Sequence, residues 1–126
     1  MAARYHLDTN CCIYLFAGSH LRLTQRVGNT RAGDLAISSI VLAELRVGMA
    51  RGFGPSDEAL MNFLFDIELL PFGEREAAAY GALPFARGSY DRLIAAHAVA
   101  AGAVLVTKNA RHFGNIRGLS TEDWTV

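Results

Sequence analysis

The sequence predicts an α/β fold, a three-layer α/β/α sandwich around a central, mostly parallel sheet. Three observations carry this reading. Short apolar runs alternate with longer helix-period segments, the order that builds strand–helix–strand crossovers. The clearest run, Ala103-Val104-Leu105-Val106-Thr107, is apolar throughout instead of alternating, as a strand must be when helices cover both of its faces. Helix-start and helix-stop residues punctuate the segments between the runs.

Residues 4–7 form the first short strand, ending at Asp8, and Asn10 to Phe16 reads as a helix with Gly18 as its stop. Leu35-Ala36-Ile37 is the second strand. Ser38 or Ser39 caps the helix that follows, which runs to Met49 or Arg51 before Gly52 and Gly54. Pro55-Ser56-Asp57-Glu58 is a helix-start signature for Ser56 to Asp66, and Ile67 to Phe72 is a third strand. Glu74 to Leu83 is helical until Pro84. Ser89 then caps a helix from Asp91 to Ala101, which Gly102 terminates before the strand at 103–107.

The 126 residues make one domain, 1–126, with no internal repeat or linker. No apolar run approaches the roughly 20 residues that span a bilayer, and the start, Met1 to Asp8, lacks a signal-peptide pattern. A soluble, cytoplasmic protein without membrane contact is expected. Cys11 and Cys12 are adjacent and unsuited to bridging each other, which fits a reducing compartment and a core role in the first helix. Twelve basic and twelve acidic residues cancel, so net charge carries no nucleic-acid signal; eleven of the twelve bases are Arg, and only Lys108 is Lys. Arg suits bidentate phosphate contacts, although a GC-rich genome enriches Arg as well.

Three acids stand in apolar settings: Asp8 after Tyr5-His6-Leu7, Glu44 within Ile40-Val41-Leu42-Ala43-Glu44-Leu45, and Asp91 before Arg92-Leu93-Ile94. Acids are seldom buried without a partner or a metal. Asp8 ends a strand, Asp91 opens a helix, and Glu44 lies in the second turn of the helix after strand two. Thr107 ends the strongest strand, with Asn109 in the next loop. In open parallel sheets ligands bind beyond the carboxyl ends of the strands, so these residues are expected to share one crevice. Two carboxylates about 4 Å apart repel by roughly 4 kcal/mol at an effective dielectric near 20. A divalent cation reverses that sign, and oxygen ligands of this kind suit Mg²⁺ or Mn²⁺. Taken singly, each acid also has an ordinary structural role: a helix cap for Asp8, an ion pair with Arg46 or Arg92 for Glu44, a favourable dipole contact for Asp91. His97 reads as a core histidine; Phe16, Phe63, Phe65, Phe72 and Phe113 read as core, and Trp124 as an anchor for the C-terminal segment.

The stretches Leu7-Asp8-Thr9-Asn10, Ile37-Ser38-Ser39 with Ala43-Glu44-Leu45, Asp91-Arg92-Leu93-Ile94-Ala95-Ala96-His97-Ala98, Leu105-Val106-Thr107-Lys108-Asn109 and Gly118-Leu119-Ser120-Thr121-Glu122-Asp123-Trp124 together resemble PIN-domain proteins. The VapC-type toxins of toxin–antitoxin pairs are the most similar. The resemblance spans nearly the whole chain in order and implies a sheet of about five strands. It further implies a Mg²⁺- or Mn²⁺-dependent endoribonuclease, usually a homodimer, that acts on RNA (tRNA first) and is inhibited by a VapB-like antitoxin threaded along a groove. Carried over by position, Asp8, Glu44 and Asp91 match the metal-binding catalytic acids, Asn109 stands where many relatives have a fourth acid, and Thr9 and Thr107 match supporting hydroxyls. The short segment from Tyr80 to Asp91 is a second departure, one that bears on groove shape.

Arg46, Arg87, Arg92 and Lys108, with Arg51 and Arg111, cluster in sequence around these motifs and are candidates for phosphate contact. A receiver-like signalling domain needs an acceptor Asp directly after a strand, and the segment Phe85 to Tyr90 before Asp91 is not one. A haloacid-dehalogenase-type phosphatase needs a second Asp where Asn10 stands. The remaining alternative is a catalytically weak PIN domain that binds RNA or a partner, for which Asn109 is the motive.

Overall fold

The computed structural model describes residues 2–84 and 86–126. Five short strands, β1 (Tyr5–Leu7), β2 (Leu35–Ser38), β3 (Glu68–Leu70), β4 (Val104–Val106) and β5 (Ser120–Glu122), pair in the order β3-β2-β1-β4-β5. Every pairing is parallel, so the sheet is wholly and not mostly parallel. β5 supplies the fifth strand that the resemblance implies, at a position no apolar run marks. Its Ser-Thr-Glu sequence carries no apolar run, because an edge strand covered on few sides needs none.

Six helices fill the connections: α1 (Thr9–Ala17), α2 (Leu21–Gly28), α3 (Ser39–Ala50), α4 (Asp57–Asp66), α5 (Glu74–Gly81) and α6 (Tyr90–Ala101). Five follow the sequence signals within one or two residues. Gly18 and Gly102 end α1 and α6 at φ 66° and 64°, the left-handed conformation that glycine adopts freely. Ser38, Ser56 and Ser89 cap α3, α4 and α6 through their hydroxyls. The unexpected helix, α2, has no side-chain cap and buries only Leu23. It is held by tertiary packing, which local sequence does not display. The segment Ala86 to Ser89 is not a strand, as expected; Phe85 lies outside the described residues.

All four residues of β2 are buried, and so are the last two of β1 and β4. Successive side chains point to opposite faces, so both faces of the central sheet are covered. Right-handed crossovers put α1 to α4 on one face and α5 and α6 on the other. The core joins Leu7, Leu35, Ile37, Leu60, Ile94 and Leu105 with Cys11, Cys12 and Phe113, and Trp124 docks the C-terminal segment into it. Trp124 meets Tyr5 edge-on at 4.9 Å, lies under the Arg26 guanidinium and donates its indole N–H to Glu122. Phe65 departs from expectation: it is 90% exposed, on the outer side of α4.

Two histidines lie inside. His97 Nδ1 stands 2.7 Å from the Ser38 hydroxyl. His6 packs edge-on against His97 and has no hydrogen-bond partner at either ring nitrogen among the described residues. Burial, reinforced by His97, lowers the His6 pKa to about 4. Its folded value lies below its unfolded one, so the unfolded chain binds the extra proton and stability falls as pH drops from 6.5 towards 4. Replacing His6 by Leu is expected to flatten this acid loss, read as urea midpoints between pH 7 and pH 4.5. An unchanged pH profile would show that His6 is not the buried neutral group described.

Candidate active site

All strands point the same way, so their carboxyl ends form a single edge. The chain leaves β1 towards β2 on one side and reaches β4 on the other, which makes the end of β1 the switch point where crevices open. Asp8 occupies that point. Its backbone N–H donates to the Val106 carbonyl of β4, and its Oδ1 accepts the Cys11 N–H at 2.8 Å as the cap of α1. Oδ1 is thereby fixed in place.

Helices α1 and α3 start at this edge because they follow strands. Helix α6 starts there because it runs back down the sheet before β4 rises. Glu44 reaches in from the second turn of α3, and the Thr9 hydroxyl donates to its Oε1 at 2.5 Å. Asp91 stands in the first turn of α6. Asp8, Thr9, Glu44 and Asp91 line one cleft together with Asn10, Ile13, Val47, Arg51 and Phe53. Three helix N-termini around it favour negative charge.

The burial argument holds fully for Asp8 alone, at 6% exposed; Glu44 is half-buried, and Asp91 is exposed. What marks the acids as a set is their mutual field. Burial raises the Glu44 carboxyl above its ordinary range, the Thr9 hydrogen bond opposes this, and the charges of Asp91 and Asp8 raise it further. No Lys or Arg nitrogen among the described residues lies within 4 Å of the three; the nearest base is His112 Nδ1, 4.0 Å from Asp91. The nearby Cys11 and Cys12 thiols are pushed far up by burial and by Asp8, so they stay protonated and the available donors are oxygens. This chemistry fits a hard divalent cation. Among the described residues, no three His, Cys, Asp or Glu side chains are already gathered about one point at ligand spacing.

The PIN-domain family model matches residues 5–119. The chain belongs to the PIN-domain family, among its VapC-type members. It is 32% identical to the tRNA(fMet)-specific endonuclease VapC of Shigella flexneri, over 97% of this chain and 98% of that one. It is 34% identical to Ribonuclease VapC2 of Rickettsia felis, over 95% and 97%. Among solved structures, DNA-bound VapBC from Salmonella typhimurium superposes with a TM-score of 0.80 at 31% identity, over 97% of this chain and 98% of that one.

Within this PIN domain, the structure brings together Asp8, Thr9, Glu44 and Asp91 and leaves other expected residues outside the cleft lining. Thr107 is fully buried and accepts the Asn109 N–H, so it shapes the loop after β4. Asn109 is exposed at the start of the 3-10 turn Ala110–Phe113 and does not line the cleft. Glu44 pairs with neither Arg46 nor Arg92: Arg46 bonds Asp57 at 2.8 Å, and Arg92 donates to the Pro84 carbonyl. Arg87 and Lys108 are exposed and do not line the cleft.

Sequence reasoning missed the apolar flank of Ile13, Val47 and Phe53 and gave Arg51 no special place. The signal was the Gly52-Phe53-Gly54 turn. Gly52 has φ +85°, the Phe53 N–H returns to the Gly48 carbonyl at 2.8 Å, and a Cβ on Gly54 would meet the Met49 nitrogen at 2.7 Å. The turn folds the chain back onto α3 and sets Arg51 and Phe53 at the cleft.

Glu44→Gln tests the combined cost of burying the Glu44 charge and setting it beside Asp91 and Asp8. A carboxyl with a raised folded pKa is destabilising above its unfolded value, and increasingly so as pH rises through the folded value. Gln keeps the acceptor for Thr9 and removes the charge. The variant is expected to melt higher than wild type at pH 7 in chelator and to match it below pH 4.5. A lower melting temperature at pH 7 would contradict the assigned electrostatics.

Proposed function

We propose that this PIN domain is the ribonuclease toxin of a toxin–antitoxin pair, a metal-dependent endoribonuclease. The observation that carries the proposal is the cleft in which Asp8, Glu44 and Asp91 repel one another with no Lys or Arg within ion-pair distance among the described residues. The activities named for the Shigella and Rickettsia relatives support it. Mg²⁺ or Mn²⁺ is the proposed cofactor, held by Asp8, Glu44 and Asp91. When bound, it supplies charge stabilisation at the scissile phosphodiester and acidifies water.

The chain's own residues set the stage for that chemistry. The N-cap bond fixes Asp8 where it lines the cleft. Thr9 orients Glu44 across it. Arg51, with no carboxylate within 4 Å among the described residues, is placed to meet a phosphate of the substrate. Transfer RNA, named for the Shigella relative, is the first substrate to test, and a cytoplasmic activity belongs to the same proposal.

The antitoxin partner follows from the same family. VapBC assemblies are among the structural neighbours, and the apolar flank beside the cleft, with Val47 57% and Phe53 81% exposed, offers a VapB-like segment a seat. A homodimer belongs to the same proposal. Asn109 lies outside the cleft lining, and the cleavage assay below separates the enzyme from a binding-only domain.

Purified protein with total RNA in Mg²⁺ or Mn²⁺ is expected to release discrete fragments, with excess EDTA stopping the reaction. Asp8→Asn should lower the rate on the order of a hundredfold or more, since a bound cation contributes several kcal/mol of charge stabilisation, while its far-UV circular dichroism stays unchanged. Undiminished cleavage in EDTA would sink the metal-dependent reading.

A further inference from the structure

On the other side of Asn10 from Ile13, the surface carries an aromatic stack. Tyr14 of α1 and His20, the residue before α2, lie with ring centroids 3.9 Å apart and planes 27° apart. Tyr14 rests against the core. The imidazole is oriented by Ser19, whose Oγ lies 2.8 Å from Nδ1. Both rings are half-exposed. The Lys108 ammonium, exposed, stands 5.9 Å from the Tyr14 ring centre.

This group is continuous with the acidic cleft by two routes. Asn10, which lines the cleft, precedes Tyr14 by one helical turn. Lys108 follows Thr107 at the end of β4, the strand paired with β1 beside Asp8. A cleft that cuts a phosphodiester leaves the neighbouring nucleotides on its flanks. A flat stack with an ammonium beside it matches the two parts of such a nucleotide: the base has a π-face whatever its identity, and the phosphate is an anion.

We propose that Tyr14, His20 and Lys108 form a nucleotide subsite for the RNA strand as it leaves the cleft. An unpaired base stacks on the His20–Tyr14 pair, and the adjoining phosphate meets Lys108. The subsite accepts any base, because stacking carries no hydrogen-bond code. It rests on the ribonuclease reading and adds to it a place where the substrate must be single-stranded or splayed open.

The test measures binding of a short single-stranded RNA to the Asp8→Asn protein by fluorescence anisotropy. A companion set of RNAs carries one abasic nucleotide at each position in turn. In this background His20→Ala is expected to weaken the intact RNA about tenfold, as for loss of one base stack. It should leave affinity unchanged for the one RNA whose abasic site falls at the subsite. His20→Trp should restore binding, and Lys108→Ala should weaken all the RNAs alike and lower the salt dependence. If His20→Ala lowers only the melting temperature, or weakens every RNA equally, the stack merely packs the α1–α2 connection and the subsite is overturned. If the Asp8→Asn protein binds no RNA and wild type cleaves none, the ribonuclease reading falls and takes the subsite with it.

Discussion

The cap that Asp8 places on α1 is the contact on which the rest of the site depends. One buried carboxylate ties the end of β1 to the first turn of α1 through the Cys11 N–H, while its own backbone N–H is bonded to β4. A carboxylate at 6% exposure is costly unless its oxygens are answered. Here the helix N-terminus answers one oxygen, and the residue lines the cleft. The same bonds that make the acid tolerable also fix where it points.

Around that anchor, the wholly parallel sheet imposes the geometry. Parallel strands need helical crossovers, and every crossover either starts or returns at the edge beyond the strand carboxyl ends. Glu44 and Asp91 are far from Asp8 in sequence and come from helices on opposite faces, yet they are delivered to the same cleft. The fold thus crowds three acids into one partly buried cleft, and the Glu44 carboxyl, raised first by burial and further by the charges of Asp91 and Asp8, records the cost. Active sites commonly trade stability for function in this way.

The cleft is asymmetric on its two flanks. Ile13, Val47 and Phe53 make one side apolar, supported by the glycine turn after α3. Tyr14, His20 and Lys108 make the other side aromatic and basic. Helix α1 contributes to both flanks, because the turn after Asn10 presents Ile13 and Tyr14 on either side of it. One helix therefore positions an acid at its cap and two chemically different walls along its length.

The sequence alone determined the elements that carry local signals. Serine caps, the glycines after α1 and α6, and the unbroken apolar run of β4 located most helices and the central strands. The order of those elements predicted the crevice at Asp8, and the motifs named the three acids. Other features were invisible because their cause is not local. Helix α2 and strand β5 carry little apolar sequence and exist through packing and edge pairing. Phe65 looked like core by residue type, yet the orientation of α4 turned it outward. Arg46 and Arg92 sit near the acids in the chain, but Asp57 and the Pro84 carbonyl claimed them, and Arg51 took the place at the cleft. Asn109 and Thr107 followed the strongest strand into a loop that closes on itself instead of entering the cleft lining. Residue type and spacing fix what a segment can become; which side chains share a surface depends on how helices are rotated and loops folded back, and only the packed chain decides that.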